Sequence, residues 1–460
     1  VSLAGLRDVP DTTARLVEHG LSPAAAGEKA HLLASSASVL VAAGRDARAG
    51  GIAFFVPGRI EVLGKHTDYA GGRSLLTATE RGHVFVAVPR DDETICMIDA
   101  VGGEQVAFPL GSPPRNGPDR SWAVYPATVG RRLARNFPGS WRGADIAFAG
   151  DLPAAAGLSS STVLITGTAL ALAAANRLEE RDDYRRILDS PEALAGYLGA
   201  VENGASFGEL EGEAGVGTRG GSEDSTAMLC CRAAAVSRYR FAPIRREAEI
   251  PLMPGWRFAV AVSGVVAKKT GDARDRYNRA ARLAAAAAAE WRRATGSDDP
   301  HLGAAVRSVG DAEVVRAVLR ESRHEEFTAA ELVRRFDHFE AESERIIPAA
   351  GASLEEWRLG AFGRHVRESI ALGAKWLHNQ VPETLFLAND ALDLGAVAAS
   401  PFGAGFGGSV WALVEEETAS AFLDSWERRY RKAFPGREPD CFTTGAGPAV
   451  IRLEHPPRPR

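Results

Sequence analysis

At 460 residues the chain is long enough for two ordinary cores, and its 45% hydrophobic and 25% charged content is that of a soluble globular protein. A net charge of −5, from 54 basic and 59 acidic residues, gives no basic surface for nucleic acid. Cys96, Cys230, Cys231 and Cys441 lack metal-ligand spacing and the density of a disulfide framework, no run of about 18 apolar residues could span a bilayer, and no leading stretch resembles a signal peptide, so a cytoplasmic protein without a membrane partner is expected.

The first 50 residues read as helical and Ala-rich up to the break Ala49-Gly50-Gly51. Runs of apolar and β-branched residues then predict strands at Ile52–Val56, His83–Pro89, Thr94–Ile98 and Asp145–Ala149. Ahead of the last of these, Trp122, Tyr125, Val129, Leu133 and Phe137 recur at three- and four-residue intervals, the stripe of a helix with one buried face. A long apolar helix from about Leu158 to Leu178 and another from Pro191 to Ala205 follow, then strands at Thr226–Cys231, Arg238–Phe241 and Arg257–Val262. Later come helices at Arg274–Arg293, Asp311–Arg320, Thr328–Ile347, Ser353–Leu377 and Glu383–Ala398. The tract Ala284–Ala289 belongs to an ordinary helix, since Ala is the best helix former. Strands at Val410–Val414 and Ala449–Leu453 flank a last helix, Glu417–Phe434. Helices segregated from strands indicate an α+β architecture. We read an N-terminal domain over residues 1–250 and a helix-rich C-terminal domain over 251–460, divided within Pro243–Pro254.

Three glycine-rich segments stand out: Pro57-Gly58-Arg59 through Gly64-Lys65-His66-Thr67-Asp68-Tyr69 to Gly71-Gly72, then Leu152-Pro153-Ala154-Ala155-Ala156-Gly157-Leu158-Ser159-Ser160-Ser161, then Phe402-Gly403-Ala404-Gly405-Phe406-Gly407-Gly408-Ser409. The first is not a Walker loop, because five residues separate its glycines and His follows the Lys. The last satisfies the dinucleotide fingerprint formally, but it follows a helix and precedes a strand, the reverse of what that fingerprint needs. The serine run opens a helix, whose first amide N–H groups are unpaired and carry partial positive charge. Such an end cradles phosphate, with hydroxyls adding hydrogen bonds or a Mg²⁺ ligand; the plainer reading is a Ser cap after a glycine turn.

Together these segments resemble those of the GHMP small-molecule kinases and, within them, the galactokinases. The first is similar to the galactokinase signature, the second to the ATP loop and the third to the last family motif. Glu202-Asn203, Gly221-Ser222-Glu223-Asp224, Tyr277-Asn278-Arg279 and Gly445-Ala446-Gly447 are similar to further family segments, so the likeness runs from about residue 50 to 453. It implies a two-domain GHMP kinase fold of mixed sheets and helices, with the active site in the cleft between the domains. The implied activity is ATP-dependent phosphorylation of a monosaccharide at its anomeric hydroxyl, with galactose as default substrate, ATP and Mg²⁺ as cofactors, and a monomer or small homo-oligomer as the working form.

On matching positions, the resemblance makes Asp224 the acceptor of the sugar hydroxyl proton and Arg59 its neutralising partner. Pro153, Gly157, Leu158, Ser159, Ser160 and Ser161 would form the ATP site, Ser161 and Glu202 would hold Mg²⁺, and Lys65, His66, Asp68, Gly221, Tyr277 and Gly405 would bind the sugar. A carboxylate beside Arg⁺ is a weak base, so Asp224 would take the proton late. Each assignment has a structural rival: a surface ion pair for Arg59, a turn cap for Asp68, a satisfied buried imidazole for His66, a solvated helix face for Glu202. Glu223 reads as a polar loop residue, and Cys230 and Cys231 as packed in a strand.

The sequence departs from galactokinases at Lys65, where they carry a glutamate that binds a sugar hydroxyl. Lys only donates where a carboxylate only accepts, so a uronic acid such as galacturonate or glucuronate, or another hexose, is an alternative substrate. Ser225 replaces a glutamine, the loop between Glu202 and Asp224 is longer, and Ala267-Lys268-Lys269-Thr270-Gly271 is extended. A catalytically silent galactose and ATP sensor is a reading of a different class, against which Asp224, Arg59 and the three serines argue. A kinase of a non-sugar alcohol is a third, against which His66-Thr67-Asp68-Tyr69 argues.

Overall fold

Strand β1, Ile52–Leu63, is buried along almost its whole length because both of its faces are covered. Phe54, Val56, Ile60 and Val62 point into the main core, whereas Ala53 and Phe55 pack with Leu3, Leu33 and Leu40 of the N-terminal helices. A continuous apolar run such as Ile52-Ala53-Phe54-Phe55-Val56 is what a strand covered on both sides requires. Residues 1–50 therefore form a helical layer on the back of this sheet. The computed structural model of the chain describes residues 1–112, 122–153, 156–265, 272–403 and 405–453. Ala154, Ala155, Ala404 and the extension at 267–271 lie outside the described residues.

The first sheet has eight strands. β1 pairs antiparallel with β2, Arg73–Pro89, whose far half continues to β5, Ala144–Gly150, and whose near half pairs with β6, Ala235–Arg240. β3, Thr94–Asp99, lies parallel to β5 and carries β4, Gln105–Pro109, on its other side; β7, Arg245–Pro251, pairs with β6. The second sheet has four strands: β8, Trp256–Val262, and β10, Ser409–Glu415, at its centre, with β9, Ala398–Pro401, and β11, Asp440–Thr444, at its edges. The chain then returns to the first sheet, where β12, Ile451–Leu453, pairs with β1. This is the mixed α+β architecture expected from the sequence. Among the described residues no helix is long and apolar enough to cross a membrane, and the four cysteines are unpaired.

Two predicted elements differ from what is observed. Residues 226–230 belong to a helix, Glu223–Cys230, with Cys231 just past its end, rather than to a strand. Glu223 and Asp224 in its first turn favour a helix N-terminus, and that signal outweighs the apolar, strand-like run behind them. The helix expected over Ser353–Leu377 is two, Ile347–Glu355 and Leu359–Trp376, broken where Trp357 takes a left-handed backbone (φ 56°).

Helix Ser160–Ala175 is buried over most of its length because it lies between sheet and neighbouring helices. Gly167 sets its approach to β2, since a Cβ there would stand 2.2 Å from the ring of Phe85, itself fully buried. Gly167→Ala is expected to destabilise the fold by about 1–3 kcal/mol by overpacking, even though Ala gains about 1 kcal/mol in helix propensity. Thermal or denaturant unfolding checks this, and a stabilised variant would contradict it.

Candidate active site

The three glycine-rich segments converge on one cavity of about 240 Å³. The pairing of β1 with β2 shifts register between Pro57 and Arg59 and again between Glu61 and Leu63. Such bulges re-aim side chains beside functional sites, and Arg59 and Glu61, two residues apart on one strand face, both line the cavity. Arg59 is 4% exposed. Its Nε donates to Asp224 Oδ1 at 2.8 Å, a second guanidinium N–H donates to the Gly157 carbonyl, and its plane lies 5.8 Å from the Phe402 ring. One buried cation thus touches all three segments and the Asp224 helix.

Asp224 sits in the first turn of helix Glu223–Cys230. The loop before it runs close to Asp68, whose Oδ2 accepts the Glu223 N–H at 3.2 Å. A Cβ at Gly221 would come within 2.2 Å of the same oxygen, so only glycine lets the loop pass. On its other side Asp224 Oδ2 is 3.4 Å from the Thr162 hydroxyl, which donates to Glu202 Oε2 at 2.7 Å. Glu202 Oε1 is 3.5 Å from Ser161 Oγ. Ser161 and Glu202 therefore offer two hard oxygen donors side by side, a fit to Mg²⁺, which takes one or two protein oxygens and completes its shell with substrate phosphates. No cluster of three or more His, Cys, Asp or Glu able to hold a metal occurs among the described residues.

Ser159 takes a left-handed backbone (φ 63°) and makes no side-chain cap to helix Ser160–Ala175, so the first-turn N–H groups are left for a ligand. The third segment closes this loop from the other side, with Ser409 Oγ donating to the Ala156 carbonyl at 2.5 Å. Gly157, Ser159, Ser160 and Ser161 line the cavity, as do His66, Asp68, Gly221, Tyr277 and Gly405. His66, also left-handed (φ 60°), has Nδ1 2.8 Å from the Tyr69 hydroxyl and its ring 5.1 Å from that of Tyr277.

Three expected site residues lie elsewhere. The side chain of Leu158 is in the hydrophobic core, and Pro153 stands outside the cavity lining. Lys65 is 1% exposed and absent from the lining; its ammonium donates to Ser400 Oγ at 2.9 Å, in the field of Glu61 and Glu342. With its charge committed to buried carboxyls, it is not presented to a substrate. Sequence reasoning missed Glu61 and Thr162, which line the cavity, and took Glu223, which also lines it, as a loop residue. It also missed Arg335, 3% exposed, which donates to the His66 carbonyl and holds the strained turn. The spacing of Glu61 from Arg59 was a usable signal; nothing in the sequence near Arg335 marks it.

The site is crowded with buried charge. Burial alone would lower the Arg59 pKa, yet the carboxyls of Asp224, Glu223 and Glu61 hold it above its ordinary value. Burial pushes Asp68 up to about 6, against the backbone N–H groups of Tyr69 and Glu223 that favour its charged form.

Residues 43–89 match the galactokinase galactose-binding signature, and residues 125–205 match the N-terminal domain of GHMP kinases. A galactokinase of Roseiflexus sp. is 27% identical over 408 residues, spanning 88% of this chain and 93% of its own. One from Halalkalibacterium halodurans is 28% identical over 405 residues, with 86% and 91% covered. The solved structure of Lactococcus lactis galactokinase complexed with galactose superposes with a TM-score of 0.70 at 21% identity, covering 88% of this chain and 95% of that one. Methanococcus jannaschii mevalonate kinase gives 0.51 at 12% identity, with 87% and 99% covered. At such identities the two solved structures speak to the fold.

The raised Asp68 pKa has a stability consequence. Its neutral form is favoured on folding, so its contribution is present at acid pH and is lost as pH rises from about 3.8 through about 6. Asp68→Asn carries no such dependence. Its melting temperature relative to the wild type should therefore be higher at pH of about 7.5 than at about 4.5; a difference that stays flat would contradict the burial argument.

Proposed function

We propose that the chain is a galactokinase-like member of the GHMP small-molecule kinases and that it transfers the γ-phosphoryl group of ATP to the anomeric hydroxyl of galactose. The observation that carries this reading is the contact of Arg59 with both Asp224 and the Gly157 carbonyl, which sets a carboxylate beside a phosphate-binding helix start. In the proposed reaction Asp224 orients the sugar O1–H and takes its proton as O1 bonds to the γ-phosphorus and the bond to ADP breaks. The Arg59 guanidinium neutralises the carboxylate and the charge on the phosphoryl oxygens. The N–H groups opening helix Ser160–Ala175, with Ser159, Ser160 and Ser161, bind the phosphates. His66, Asp68 and Tyr277 contact sugar hydroxyls. Ser161 and Glu202 would hold Mg²⁺, which neutralises phosphate charge when bound. Thr162 ties Glu202 to Asp224, so the two ends of the site share one polar strut.

We assign the division at residues 1–250 and 251–460 to the two lobes flanking this cleft, on the strength of the two sheets, and place the enzyme in the cytoplasm as a monomer or small homo-oligomer. A uronic acid as substrate rested on Lys65, whose ammonium lies among buried groups, so a neutral hexose is the better substrate. The silent-sensor reading is disfavoured by the intact couple of Arg59 and Asp224.

Asp224→Ala is expected to lower kcat by about 10²–10⁴-fold while ATP binding persists, measured by coupled assay and calorimetry. Turnover near the wild-type rate would take Asp224 out of the role. Lys65→Glu sets a new carboxyl beside Glu61 and Glu342 and should cost about 3–5 kcal/mol of stability. A stable variant with altered sugar preference would instead put Lys65 in the pocket.

A further inference from the structure

Two carboxyl groups in the cavity wall take no part in the mechanism above. Glu61 is 4% exposed; its Oε2 accepts the Gly403 N–H at 3.2 Å, while no donor among the described residues reaches Oε1. Glu223, 6% exposed, accepts the Ser74 hydroxyl through Oε2 at 2.7 Å. Both residues line the same cavity, and each buried carboxyl lies in the other's field. Ionised carboxylates only accept, so two that face each other in a buried wall repel unless a proton is held between them.

The surrounding charge makes the same demand. From β1, Arg59 faces the pair; beyond the end of β1 stand Lys65 and Asp68, on the Glu223 helix Asp224, and on the π-helical segment Ala341–Ile346 Glu342. Arg335 faces His66 and Tyr69 instead. Two cations thus answer five carboxyl groups in a nearly dry wall. Fully ionised, that wall would repel the phosphates of ATP and divide the field of Arg59 among several anions.

We infer that Glu61 and Glu223 are a positioning pair that keeps one proton between them, leaving the Arg59 guanidinium to Asp224 and to the phosphoryl group in transfer. Burial supports this by pushing Glu61 up to about 7, against Lys65 and Arg59, and Glu223 well above the ordinary carboxyl range. The two protons belong to the pair rather than to either residue, and the last one is held above the ordinary carboxyl range.

The consequence for catalysis rests on the kinase reading; the proton itself does not, and the test separates the two. Infrared spectra of the wild type at a pH of about 8, where ordinary carboxyls are ionised, should keep a protonated-carboxyl C=O band that Glu223→Gln removes. Glu61→Gln serves in its place should that variant fail to fold. In the sugar kcat/KM profile, the alkaline fall should move up by at least about one pH unit in Glu223→Gln, whose amide donates at every pH; a loss of packing would lower the curve without moving the fall. Absence of the band from the wild type, its persistence in the folded variant, or an unmoved alkaline fall would each overturn the pair. A band that behaves as expected in a protein that phosphorylates no sugar would leave the pair standing and overturn the kinase reading.

Discussion

The guanidinium of Arg59 is the tie on which the site depends. Stripped of water, it is stable only because Asp224 and the Gly157 carbonyl replace its hydration, and those partners come from 165 and 98 residues along the chain. Removing one member of a buried ion pair leaves the other uncompensated, at a cost of about 3–5 kcal/mol. The bulges in β1, the glycine at 221 and the closure of the third segment over Ala156 all serve to let this cation reach both partners. The turn that opens helix Ser160–Ala175 and the Asp224 carboxylate are therefore held in register by one side chain.

The same tie explains a rearrangement of charge. Galactokinases carry a glutamate where this chain has Lys65, and here a carboxyl lines the cavity from position 61, on the strand face that bears Arg59. The Lys65 ammonium lies inward against Ser400 in the field of Glu342, just past the strand that carries Arg59 and Glu61. Buried groups of this kind are rarely independent: changing any one alters the protonation of the rest.

Much of this was legible in the sequence. The glycine-rich segments are local, their backbone needs are strict, and residues such as Gly221 and the serines at the start of a helix advertise close approach and unpaired N–H groups. Apolar runs gave most strands of the first sheet. What could not be read was set by distant packing. The run at 226–231 looks like a strand until Glu223 and Asp224 are seen opening a helix against the sheet, and Lys65 looks like a pocket residue until Glu342, far along the chain, is seen beside it. Arg335 leaves little local trace because its bonds to the site go to the His66 carbonyl and the Tyr69 hydroxyl, more than 260 residues away.

The return of the last described strand to the first sheet has a bearing on how the molecule is made. β12 pairs with β1 through Ala53, Phe54 and Phe55, so that edge of the strand carrying Arg59 stays open until residues 451–453 have been made. Unpaired edges of apolar strands invite association with other chains. The nascent protein must shelter that edge through the synthesis of the entire helix-rich half, and its two halves mature as one unit.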